Sequence, residues 1–164
     1  MVVAAALVVT TLLVACSSDS GAPEPAVQPS PASGAVSRGE YEGAFNAINL
    51  RLLEDTRLMN QIAISASIDD QARVDSEEMT RLILDDLNEQ LGLLEQLEPV
   101  PSEVTEAHES LKTAVMRYIE AASLMLPMEG AEGEAFDFSD YQALMTEGGK
   151  AFHGAGSALS MNVE

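Results

Sequence analysis

The chain is poor in the residues that cross-link a fold or carry it onto an anionic surface. It has one cysteine, Cys16, in 164 residues. No disulfide can form within a single copy, so the fold rests on apolar burial alone. A covalent c-type haem, which needs Cys-x-x-Cys-His, is excluded by the same count. Lys and Arg total 8 against 27 Asp and Glu, a net charge of −19. That balance excludes nucleic-acid binding, which needs basic surface facing phosphate. It also argues against a domain lying flat on anionic headgroups. Tryptophan is absent, and 4 Phe and 3 Tyr leave little to line a cofactor pocket. No run alternates β-branched and polar residues, so no sheet is expected.

Catalytic signatures are missing as well. There is no Ser-His-Asp arrangement, phosphate loop or metal-hydrolase motif, and no enzyme is expected. The residues three before His108 and His153 are Thr105 and Lys150. The Glu-x-x-His pair that builds di-iron sites in helical bundles is therefore absent.

What is present begins with an uncharged apolar run, Val2 to Ala15, ending in Leu13-Val14-Ala15-Cys16. The run is shorter than the ~20 residues needed to span a bilayer and has the length of a signal-peptide core. Its end resembles the bacterial lipobox: an aliphatic residue, two small ones, then the cysteine to be lipidated. The resemblance implies a signal peptide over 1–15, cleaved before Cys16, and a diacylglycerol on the Cys16 sulfur. In many bacteria the new amine is acylated too, and two or more chains anchor stably where one is marginal. It implies an extracytoplasmic protein held at the cell membrane or outer membrane. The first basic residue is Arg38, a departure from the usual basic leader. That leaves open a start further upstream or export from a neutral one.

Residues 16–36 follow as the lipidated cysteine and a Ser-, Pro-, Gly- and Ala-rich tether. As a flexible coil, about 20 such residues reach roughly 25 Å. Residues 37–164 read as the folded domain.

Four helices are expected there. The first runs from about residue 38 to 66, opened by a Ser37/Glu40 capping box, with Phe45, Ile48, Leu52, Met59 and Ile62 as its apolar stripe. Asp55 falls close to this stripe. A buried, unpaired carboxylate is costly, and a slight rotation that turns Thr56 inward is preferred. The second helix runs from about 68 to 97, with Ala72, Met79, Ile83, Leu87, Leu91 and Leu94 inward, and stops at Pro99 and Pro101. The third spans about 102–126 with Val104, His108, Leu111, Val115, Tyr118, Ala122 and Met125. The fourth is expected to start at a Ser139/Gln142 capping box and carry Tyr141, Met145, Phe152, Ala155 and Leu159. Its Gly148, Gly149, Gly154 and Gly156 weaken helix propensity, marking either a close helix approach or a bent, mobile segment. The fold class is all-α, an up-down-up-down four-helix bundle; the alternative is a three-helix bundle with a loose fourth segment.

Few residues are candidates for a site. His108 lies on the third stripe and reads as a core-edge histidine bonded to a neighbour. His153 is a surface or seam residue that antiparallel packing sets level with about residue 49. Two histidines and a carboxylate can share a metal, though nothing in their spacing demands it. A haem held by His153 and Met59 is disfavoured, because the two lie ~15 Å apart along the axis. Most methionines, Met125 among them, fit apolar stripes, leaving Met128 alone. Acids between Glu129 and Asp140 lack calcium-loop spacing. The pairs Asp69-Asp70 and Asp85-Asp86 read as solvated. The expected role is a non-enzymatic binding or interaction module with an envelope protein as partner and no cofactor. The alternative is a metal- or small-ligand-binding lipoprotein using His108, His153 or the bundle interior.

Overall fold

A computed structural model of the chain describes residues 36–126 and 136–161. Among them four long helices form, α1 (Arg38–Ile68), α3 (Glu77–Gln96), α4 (Thr105–Met125) and α5 (Phe138–Met161). A short helix α2 (Asp70–Asp75) follows α1, and a 3-10 turn (Ser102–Val104) leads into α4. No strand is present among the described residues. This is an all-α four-helix bundle, in which α5 packs most extensively on α4, and α3 on α4 and α1.

α1 begins where a capping box is available. The Ser37 side chain accepts from the Glu40 N–H at 3.3 Å, and Glu40 accepts from the Ser37 N–H at 2.8 Å. Both bonds satisfy backbone donors that a helix start otherwise leaves free. Phe45, Ile48, Leu52 and Met59 are buried as the stripe predicts, and Ile62 packs partly buried against the core.

The second expected helix is broken. Asp69 separates α1 from α2, and Ser76 separates α2 from α3. Asp69 accepts from the Gln71 N–H at 3.0 Å, and the Ser76 hydroxyl donates to the Ala72 carbonyl at 2.6 Å. Such short side chains compete with the helical ladder and bend it. Met79, expected inward, is 46% exposed, and Thr80 is buried in its stead. The residues Ile83, Leu87, Gln90 and Leu94 set the inward phase of α3, and Thr80 lies on it. Its hydroxyl is satisfied by donating to the Ser76 carbonyl at 3.0 Å.

Every residue of the α4 stripe, Val104 through Met125, is buried. α5 starts one residue before the predicted cap. Asp137, not Ser139, accepts from the N–H groups of Ser139 at 2.9 Å and Asp140 at 3.2 Å. Those bonds, with Asp140's the strongest influence, hold the Asp137 carboxyl below its ordinary range. A carboxylate accepts such bonds better than a hydroxyl and also complements the helix dipole.

The glycines of α5 do not act alike. A Cβ on Gly148 would lie 2.6 Å from Tyr118 Cε1, whereas Gly149 and Gly156 face open space. Gly148 is the point where α5 comes onto α4 closely. α5 is docked along its length, with Tyr141 and Ala155 in the core and Met145, Phe152 and Leu159 against it.

Candidate functional site

The bundle interior is not wholly apolar. Asp55 of α1 is 7% exposed and Gln90 of α3 is fully buried. The Gln90 amide donates to Asp55 Oδ2 at 2.7 Å and to Asp86 Oδ2 at 2.6 Å. Arg51 closes the cluster from the surface, donating to Asp86 and, at 3.0 Å, to Glu89 Oε2. This corrects two sequence expectations. Asp55 points inward rather than Thr56, because Gln90 and Asp86 partner it. Asp86 is half-buried and ion-paired rather than solvated, while Asp85 remains exposed.

The two carboxyl groups are driven apart in acidity. Burial, and then the hydrogen bond with Asp86, push Asp55 up to about 7. Asp86 is held below its ordinary value by hydrogen bonds from Arg51, Asp55 and Gln90, against the opposing effect of burial. On acidification from above neutrality the pair therefore takes up its first proton on Asp55, the more buried partner. The cluster ties α1 to α3.

His108 occupies a second polar corner. It is 1% exposed, its Nε2 lies 3.3 Å from Glu98 Oε1, and its ring sits 5.8 Å from that of Tyr41. The expectation of a core histidine bonded to a neighbour holds. Glu98, His108 and Glu109 bring three ligand-type atoms within 4.8 Å of one another. Lys112 Nζ, however, lies 2.6 Å from the same Glu98 Oε1. Lys112 first, then His108, hold the Glu98 carboxyl below its ordinary value. The geometry is that of an ion pair closing the α3–α4 connection.

The seam between α1 and α5 carries two grooves. One groove of about 590 Å³ is lined by Phe45, Asn49, Phe152, His153, Gly156, Ser157 and Ser160. His153 thus lies level with Asn49, as the antiparallel register predicts, and it is exposed. Met59 is fully buried elsewhere in the core. Asn49 Oδ1 is buried and has no hydrogen-bond partner among the described residues. A second groove of about 570 Å³ lies higher on the seam, where Tyr141 donates to Asn60 Oδ1 at 3.2 Å. His108 and His153 are not brought together: among the described residues, the one candidate metal group contains His108 alone.

The outward face of α1 is the remaining feature. Leu50 is 71% exposed, Leu53 54%, Ile64 55% and Ile68 82%. From residue 43 to 68 the chain carries Arg51 and Arg57 against Glu54 and Asp55. The segment is therefore neutral, and the whole net charge of −19 lies outside it.

Neither known protein families, curated proteins nor solved structures contain a match to this chain. Its function rests on its own residues.

Leu13, Val14, Ala15 and Cys16 lie outside the described residues, as do Met128 and the acids Glu129, Glu132 and Glu134. Among the described residues no helix is long and apolar enough to cross a membrane. Sequence reasoning missed the Asp55–Gln90–Asp86 cluster. Its signal was there: Asp55 keeps the period of Leu52 and Met59, and Gln90 that of Leu87 and Leu94.

Proposed function

We propose that this is a lipid-anchored, extracytoplasmic helical domain acting as a non-enzymatic interaction module in a bacterial cell envelope. Cys16 carries the lipid that holds it to the cell membrane or outer membrane, and the residues after it serve as a tether. The lipobox-like Leu13-Val14-Ala15-Cys16 run supports the anchor. One observation carries the module reading: four large aliphatic side chains stand exposed along a neutral helix face of a strongly acidic protein. Large aliphatic side chains exposed in two pairs on one helix face, Leu50 with Leu53 and Ile64 with Ile68, are the kind of surface a protein–protein contact covers. The absence of catalytic signatures agrees with a binding role.

A second reading, a metal- or small-ligand-binding lipoprotein, draws on the unpartnered Asn49 carbonyl beside His153. A buried acceptor with no donor is costly, and a ligand N–H or O–H would satisfy it.

A native mass spectrum of the protein extracted gently from its own membranes separates the two. The interaction module predicts a lipidated chain, alone or with another polypeptide. A reproducible added mass of metal or small ligand, lost in His153→Ala or Asn49→Ala, would replace that reading with the second. The anchor has its own test. Cys16→Ser is expected to lose the acyl mass and move the protein from the membrane fraction to the soluble one. Firm membrane retention of that variant with normal processing would refute the anchor.

A further inference from the structure

We infer that the outward face of α1 binds a second copy of this chain, with the two α1 helices antiparallel about a two-fold axis near residue 59. The inference rests on the reading of this face as an interaction surface and names its partner.

Leu50, Leu53, Arg57, Gln61, Ile64 and Ile68 follow the helical period along one outward row. The row spans about 27 Å at the helical rise of 1.5 Å per residue. Its order is apolar, apolar, polar, polar, apolar, apolar. A closed two-fold contact requires that if one residue meets another, the second also meets the first. Reversing this row about its midpoint sets Leu50 against Ile68 and Leu53 in the layer of Ile64. Arg57 then faces Gln61 at the crossing, while its charge is held by Glu54 of the same copy at 3.7 Å. Each half of the row thus meets a half of the same character.

Charge selects the same face. Two copies at −19 each repel through most approaches, but the segment from 43 to 68 is neutral. The competing exposed row on α3, with Met79, Leu82 and Leu93, contains Asp86 and Glu89. A self-contact there would set carboxylates near their own copies. A single helix pair is a small interface, so the dimer forms where chains are concentrated. Since the charge left outside the contact is repulsive, screening tightens the dimer.

The test uses the full chain in its own membranes. Cys16 is its only thiol, so the unsubstituted chain measures the background. Gln61→Cys, exposed beside the proposed axis, is treated with a short bis-maleimide and compared with Thr113→Cys, exposed on α4. The expected result is a covalent species of twice the chain mass, at least tenfold above both controls. Its yield rises between 0.05 and 0.5 M NaCl, roughly a threefold shortening of the screening length. Adding Leu53→Glu and Ile64→Glu, both at exposed positions, removes it at least tenfold with the circular dichroism spectrum and melting temperature retained. An adduct of Gln61→Cys with a different polypeptide overturns the second copy while leaving the interaction reading intact. Yield no greater than at Thr113→Cys overturns the face itself, and that reading with it.

Discussion

Gly148→Val is expected to destabilise the domain by about 3 kcal/mol, lowering Tm by roughly 10 °C. The first atom of any side chain at this position would lie 2.6 Å from Tyr118 Cε1 and 2.9 Å from Cδ1. The Tyr118 ring is 5% exposed and packed in the core of α4, so it cannot swing aside. The strain must be relieved by lifting α5, which would expose Tyr141 and Ala155. Helix propensity works in the opposite direction by up to ~1 kcal/mol, and that is why Gly148→Ala should cost less, about 1–2 kcal/mol. Gly149→Ala and Gly156→Ala meet open space and should be neutral or stabilising. Thermal melts of the four variants check the assignment. A Gly148→Val protein as stable as the parent would mean that α5 does not sit where described.

The second large effect is one of pH. Asp55→Asn is expected to stabilise the domain by at least about 2 kcal/mol at pH 8 and to change little at pH 4 and below. In the folded chain Asp55 is raised to about 7 from 3.8, chiefly by burial. The fold therefore holds this proton more tightly than the unfolded chain does. Its contribution is complete below about pH 4 and is lost as pH rises through 7. Asp86 shifts the other way, so its contribution is present above the ordinary carboxylate range and lost on acidification. Together they predict greatest stability near pH 4 and a decline towards pH 8. Asparagine keeps the shape, accepts from Gln90 and donates to Asp86, but never ionises. Denaturant titrations from pH 4.5 to 8.5 should slope downward for the parent and run flatter for Asp55→Asn. Parallel curves would refute a proton shared by this pair.

Local chemistry made much of the fold legible. The Ser37/Glu40 box, the stop at Pro99 and Pro101 and the complete α4 stripe all depend on residues within a few positions of one another. The level of His153 against Asn49 followed from short connections and helical rise. Errors arose where a residue's partner lies far along the chain. Asp55 looked too costly to bury because Gln90, 35 residues away, was not read as its donor. Apolarity favours Met79 inward, but the phase of α3 puts Thr80 there, with its hydroxyl satisfied by the Ser76 carbonyl. The Ser139/Gln142 motif suggests a cap for α5, but Asp137 offers an ionised acceptor to the same backbone.

Periodicity and composition were enough to establish an all-α bundle, its four principal helices and a strongly acidic surface, because helical burial repeats every 3.6 residues and charge can be counted. The resemblance of Leu13-Val14-Ala15-Cys16 to the bacterial lipobox adds the expectation of a lipid anchor at Cys16. Tertiary packing alone decided that Gly148 is a contact rather than a weakness, that Asp55 holds a proton against Asp86, and that His108 closes a loop with Glu98 and Lys112. It also decided which apolar side chains of α1 are left exposed. Each of these depends on where one helix meets another, and no single helix carries that information.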